Sequence, residues 1–184
     1  MGFLNFSFIL LLMNLLSFQV LFDLVKGDAT LIRQTCKNTK HYELCVSSLR
    51  SNSTSLKADT KGLAVIMVGI SMMNATDTYS YLSSQLLSCS NDASTKKVLK
   101  LCSDKYSYAY DALQSSLPEL GSDSFDYASL HVTAASDYTN VCHNAFRVRS
   151  PALAYPAELA RREDALRHLC DVALGIIDLL LAQE

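Results

Sequence analysis

The stretch "ELARREDALRHLCDVALGIIDLL", Glu158 to Leu180, places a thiol, an imidazole and several carboxylates within a few residues of one another. Its periodicity decides between a catalytic cluster and a structural helix. At about 100° per residue, His168 and Cys170 project roughly 160° apart on a helix and cannot share a proton. Leu159, Leu166, Leu169, Cys170, Ala173, Leu174, Ile177 and Leu180 fall on one stripe. Arg161, Asp164, Arg167, His168, Asp171 and Asp178 fall on the other, which is the pattern of an amphipathic bundle helix. Cys170 therefore reads as a small buried apolar side chain, the usual behaviour of a free cysteine.

The rest of the chain has the composition of such a bundle. Only three prolines and six glycines in 184 residues favour helices over strands, and a hydrophobic fraction of 49% is ample for one core. A first long helix starts at Asp59 or Thr60 as its N-cap, and its stripe runs through Leu63, Ile66, Met67, Ile70 and Met73 toward Leu86 and Leu87. A second follows the break "SNDAST", carries Val98, Leu101, Cys102, Lys105, Tyr108, Ala109, Ala112 and Leu113, and ends before "LPELGSDS". A third, from about Phe125, shows Tyr127, Leu130, Ala134, Tyr138, Val141 and Cys142 at helical spacing, with Ala134, Ala135 and Ala145 permitting close approach. The segment "HNAFRVRSPALAYP", His143 to Pro156, reads as the loop leading to the fourth.

Ahead of these, "DATLIRQTCKNTKHYELCVSSLRS" reads as two short helices around a turn at "KNTK", with Cys36 and Cys45 placed to staple them. Such a bridge contributes roughly 2 to 3 kcal/mol by restricting the unfolded chain. The predicted architecture is all-α: an up-down-up-down four-helix bundle with an N-terminal helical hairpin, stapled by disulfides.

The apolar run "FILLLMNLLSFQVLF", Phe8 to Phe22, is too short and too near the N-terminus for a membrane span and reads as a signal peptide over residues 1–27, with the mature domain over 28–184. Secretion makes disulfides the default use of the six cysteines, Cys36, Cys45, Cys89, Cys102, Cys142 and Cys170. These allow fifteen pairings, and parity leaves a second thiol over once Cys170 is assigned to a core stripe. The sequence has no CxxC pair and no HxxxH, so no metal site is expected. Two sequons, "NST" at Asn52 and "NAT" at Asn74, are acceptors for N-linked glycan, the first in an exposed-loop composition and the second within a predicted helix.

Nothing in the chain reads as catalytic. His41 and His143 fall at predicted turn or helix-end positions and His168 on a solvated face, and no nucleophile elbow or glycine-rich phosphate loop accompanies these or His131. The pairs Asp123 with Asp126 and Glu163 with Asp164 read as charges favourable to helix N-termini. A net charge of -2 without a basic block argues against nucleic acid, and no cofactor motif is present. Such a chain works through its surface. In the His143 to Pro156 segment, Phe146, Arg147 and Arg149 are residue types favoured as interface anchors, Phe146 having the alternative of tucking under the bundle end.

The motifs "CKNTKHYELC", "DTKGLA", "KKVLKLCSDKYSYAYDAL", "DYASLHVTAASDYTNVC" and "ARREDALRHLCDVALGIIDLL", in this order and spacing, make the chain similar to the plant invertase and pectin methylesterase inhibitor family, on the side of its cell wall or vacuolar β-fructosidase inhibitors. The resemblance implies bridges from Cys36 to Cys45 and from Cys102 to Cys142, an unpaired Cys170, and an extra Cys89 whose bridging stays open. It implies a non-enzymatic inhibitor that docks 1:1 on acid invertase and blocks its sucrose-binding cleft, in the cell wall space or the vacuole, with no membrane attachment after signal cleavage. Pectin methylesterase is the alternative target, met by a helical face of the second and third long helices. Characterised invertase inhibitors of this family insert a Pro-Lys-Phe motif that this sequence lacks, and Phe146, Arg147 and Arg149 stand in the corresponding segment.

Overall fold

The computed structural model describes residues 30–88, 92–148 and 153–183. Every regular element among these residues is helical: α1 over 30–36, α2 Tyr42–Ser51, a 3₁₀ turn Ser55–Lys57, α3 Thr60–Ser88, α4 Ala93–Gly121, α5 Phe125–Arg147 and α6 Ala157–Leu181. The last four pack in a ring, α3 on α4, α4 on α5, α5 on α6 and α6 on α3, as an up-down-up-down bundle must. The predicted signal peptide and Cys89 lie outside the described residues.

Local chemistry fixes where the helices begin. Asp59 Oδ1 accepts the Gly62 N–H (2.7 Å) and Asp92 Oδ1 accepts the Ser94 N–H (2.9 Å), so each aspartate satisfies an amide that the first helical turn leaves unpaired. Two ends differ from the sequence reading. Helix α4 continues through Pro118 to Gly121, because buried Leu120 and Ser116 hold its last turn in the core against the missing proline N–H. Helix α5 continues through His143 to Arg147, because Ala145 and Phe146 still face the core. The joint between α4 and α5 turns at Asp123, a non-glycine residue at φ 60°, and its carboxylate meets Lys61 Nζ at 2.9 Å. Asp123 is thus an α4–α5 turn residue tied back to α3, rather than a charge at the start of α5.

The phase of two helices is also corrected. On α5 the buried stripe is Phe125, Ala128, Val132, Ala135, Thr139 and Cys142, while Tyr127 and Leu130 are 63% and 64% exposed. On α3, Leu63 and Met67 are buried as expected, but Met73 and Leu87 face solvent and the inward positions further along are Ser71, Ala75, Thr78 and Leu82. Small residues at the inner positions let the helix axes approach, whereas the larger residues one position away would hold them apart.

The hairpin of α1 and α2 is closed by the Cys36–Cys45 disulfide and by Thr39, whose hydroxyl donates to the Cys36 carbonyl (2.8 Å). It docks on α6 at Gly175, where an added Cβ would lie 3.1 Å from Thr39 Cα. Asp171, one turn earlier on α6, accepts from His41 Nε2 (3.3 Å) and pairs with Lys40 (3.5 Å). His168 is half-buried under the hairpin, its ring 4.1 Å from that of His41, instead of lying on a solvated face. The second disulfide, Cys102–Cys142, crosslinks α4 to α5 with Cα atoms 4.6 Å apart.

Two stability changes follow. Replacing Gly175 by Leu should lower stability by about 1 to 3 kcal/mol through overpacking, read by denaturant unfolding, and should expose Thr39 amides to hydrogen exchange. Removing Cys102–Cys142 by a double Cys→Ser change should cost about 4 kcal/mol, since its loop spans 40 residues; an equally stable variant would contradict the crosslink.

Candidate functional site

Chemistry-bearing side chains converge where α5 ends and α6 begins. Glu163, on the second turn of α6, is 5% exposed. Its Oε2 accepts from the Tyr155 hydroxyl (2.6 Å) and lies 3.0 Å from His143 Nδ1. A buried carboxylate is tolerated only when its lone pairs are engaged, and here the helix before it and the connecting segment each contribute a donor. The charge read from the sequence as a simple helix N-terminal one is therefore an internal clamp.

Tyr155 is the hub of this clamp. Its ring meets Phe146 edge-on at 5.0 Å and His143 at 4.4 Å, while the Leu153 N–H donates to the Phe146 carbonyl (3.3 Å) and Pro156 caps α6. Burial, then the hydrogen bond to Glu163, pushes the Tyr155 phenol well above its ordinary range, which keeps it a proton donor. Burial likewise raises Tyr106, a phenol on α4 whose hydroxyl has no hydrogen-bond partner among the described residues and which feels the Glu163 charge. Beside Glu163, Arg162 Nε donates to Glu158 Oε1 (2.7 Å) and its guanidinium lies 4.8 Å from the Tyr81 ring centroid. A neighbouring cleft of about 430 Å³ is walled by α3, α4 and α5 side chains and the connecting segment, largely apolar, among them Tyr81, Leu99, Phe146 and Leu153. Glu163 is spent on holding the connection, so the cluster positions a surface and offers no free base.

Phe146 is 2% exposed, and this corrects its candidacy as a contact residue: its ring is the apolar platform under Tyr155. Arg147 is exposed, its Nη1 donating to Asn144 Oδ1 (3.3 Å), and Val148 beside it is 80% exposed. Arg149 lies outside the described residues. Next to Arg147 a groove of about 460 Å³ is walled by Leu101, Val141, Asn144, Ala145 and Val148. Leu101 and Val141 directly precede Cys102 and Cys142, so the crosslink holds both groove walls at a fixed separation. Down the same face Tyr108 and Tyr138 meet edge-on at 5.7 Å, with Lys105 Nζ 4.9 Å and 5.4 Å from their ring centroids. Sequence reading assigned Leu101, Tyr108 and Val141 to the core; the structure leaves all three exposed, and helical spacing alone does not separate them from the buried Cys102, Ala109 and Cys142 beside them.

The other sequence candidates sit apart. Cys170 is buried and unpaired, and burial followed by the Asp171 charge pushes its thiol up to about 12, as an inert core side chain requires. Among the described residues no group of three or more His, Cys, Asp or Glu side chains is arranged to hold a metal ion. Asn52 caps α2, and Asn74 lies in α3.

Three measurements test this arrangement. Glu163→Ala should lower stability by about 2 to 4 kcal/mol, because it strips Tyr155 and His143 of their acceptor; Glu163→Gln, which keeps the shape, should lose less. Tyr106 and Tyr155 ionise above the ordinary phenol range in the fold, whereas unfolded phenols ionise near a pKa of about 10. Their contribution is therefore complete below about pH 10 and is lost as pH rises beyond it, so ultraviolet titration should show them ionising only together with loss of helical circular dichroism. At pH 8, alkylation mapped by mass spectrometry should leave Cys170 unmodified until denaturant is added.

Comparison with known proteins supplies the family. Residues 30–176 match the family described as plant invertase/pectin methylesterase inhibitor. The chain is 47% identical over 174 residues to "Cell wall / vacuolar inhibitor of fructosidase 2" of Arabidopsis thaliana, covering 95% of this chain and 96% of the relative. It is 38% identical over 159 residues to "Pectinesterase inhibitor 28" of Oryza sativa subsp. japonica, covering 83% and 70%. A crystal structure of a mutant form of an Arabidopsis pectin methylesterase inhibitor superimposes with a TM-score of 0.64 at 23% identity, over 78% of this chain and 93% of that one, which supports the fold alone. With the two disulfides, the hairpin and the four-helix ring in place, and with these matches across nearly the whole described chain, the protein belongs to the plant invertase/pectin methylesterase inhibitor family.

Proposed function

We propose that this protein is an inhibitor of acid invertase, a β-fructofuranosidase, binding the enzyme 1:1 and blocking the cleft that takes sucrose. The observation that carries this reading is the 47% identity to an inhibitor of fructosidase, spread over 95% of the chain rather than confined to one motif. The chain acts by occupying the enzyme and catalyses nothing itself. Its route is secretory, to the cell wall space or the vacuole, in keeping with two disulfides that need an oxidising compartment.

The contact surface in this reading is the end of α5. Arg147 stands exposed beside Val148 and the groove walled by Leu101 and Val141, with Arg149 following. Guanidinium groups pair with carboxylates in a fork geometry, and glycoside hydrolases act through a pair of carboxylates. The crosslink and the Tyr155–Glu163–His143 clamp keep this surface ordered before binding, so little conformational entropy is lost on docking. A second reading, inhibition of pectin methylesterase, draws on the exposed Leu101, Tyr108 and Val141 along α4 and α5.

The deciding experiment titrates acid invertase and pectin methylesterase in parallel with purified protein at mildly acidic pH. Loss of invertase activity alone is expected; loss of esterase activity alone would move the interface to the α4/α5 face. Replacing both Arg147 and Arg149 by Ala should raise the invertase inhibition constant at least about tenfold, the scale of a lost interface anchor. Phe146→Ala should instead lower stability by about 3 to 5 kcal/mol, as a buried ring does when truncated.

A further inference from the structure

The two sequons, Asn52-Ser53-Thr54 and Asn74-Ala75-Thr76, are equivalent as triplets and differ sharply in geometry. At the first, the carboxamide oxygen of Asn52 accepts both the Thr54 N–H (2.9 Å) and the Thr54 hydroxyl (2.6 Å). This is an Asx turn, closed within three residues and needing no other part of the fold to form. It sets the hydroxyl against the carboxamide and leaves Nδ2 without a hydrogen-bond partner among the described residues. The turn lies in the connection between α2 and α3, flanked by exposed Ser53 and Thr54.

At the second sequon the same groups are used otherwise. Asn74 is in the middle of α3, and its Oδ1 is buried without a hydrogen-bond partner. The Thr76 hydroxyl donates to the Met72 carbonyl (3.0 Å), so it is turned onto the helix backbone and away from the asparagine. A sugar on Nδ2 would hang from a carboxamide whose oxygen is already enclosed.

We infer that Asn52 is the site of N-linked glycosylation in this protein and that Asn74 stays unmodified, the Asx turn at Asn52–Thr54 and, at Asn74, the mid-helix position with its enclosed carboxamide oxygen and turned-away Thr76 hydroxyl making the distinction. The inference rests on the secretory route proposed above. In the transfer, Nδ2 of Asn52 bonds to the anomeric carbon of a lipid-diphosphate-linked oligosaccharide. The bond from that carbon to the diphosphate oxygen breaks, the lipid diphosphate leaves with the electron pair, and a base of the transferase takes the amide proton. Asn52 lies in the connection between α2 and α3.

The full chain, expressed in a plant secretory host, tests this by peptide mapping after enzymatic deglycosylation in heavy-oxygen water. Labelled aspartate is expected at position 52 and none at 74. The glycan should vanish in Asn52→Gln and Thr54→Ala and persist in Asn74→Gln and in Thr54→Ser, the last keeping the acceptor if the cap change in Asn52→Gln impairs folding. Occupied Asn74, or bare Asn52 in protein recovered with both disulfides formed, would overturn the inference alone. Chain held in the cytosol without disulfides would overturn the secretory route and this inference with it.

Discussion

The crosslink between Cys102 and Cys142 sets the phase of the two helices that carry the outer face. With both cysteines turned inward and their Cα atoms 4.6 Å apart, α4 and α5 have one rotational setting each. On α5, Ala128, Val132 and Ala135 lie inside, and Tyr127, Leu130 and Val141 lie outside. The apolar character of that face is a consequence of how the core is closed. Small residues inside allow the axes to approach, and the bulkier neighbours are left to solvent or to a partner.

Where α5 meets α6, a different constraint operates. Glu163 is a charge inside an apolar bundle, stable there because Tyr155 and His143 both reach it. This couples three stretches of chain, the end of α5, the connecting segment and the second turn of α6. Phe146, seated under Tyr155, adds apolar contact to the same junction. The exposed Arg147 and Val148 therefore project from a base fixed on two sides, one by a disulfide and one by a buried hydrogen-bonded carboxylate. A surface of this kind suits an inhibitor, which must meet an enzyme without first being ordered by it.

The hairpin is fastened by a third device. Gly175 removes the side chain that would keep Thr39 away from α6, and Asp171 collects His41 and Lys40 beside it. Cys36–Cys45 holds the hairpin together while these weak surface pairs orient it. Ion pairs at such exposure contribute little each, so the close backbone approach at Gly175 matters more than the charges around it.

Sequence alone determined the helical class, the hairpin, the start of α3 at Asp59 or Thr60, the inward placement of Cys170 and the run of four long helices, because these depend on local propensity and on a 3.6-residue period. The polar face of α6 was equally legible, except for Glu163 and His168. Which of two adjacent stripes on α5 turned inward was decided only by tertiary structure, since Tyr127, Leu130 and Val141 satisfy helical spacing as well as Ala128, Val132 and Ala135 do. The same holds for Met73 on α3 and for Phe146, which the two prolines after it made look like part of a loop. Periodicity reports that a stripe exists; the volume available between neighbouring helices decides which one is buried. The burial of Glu163 likewise depends on donors 20 residues before it and 8 residues before it, and no local pattern records that meeting.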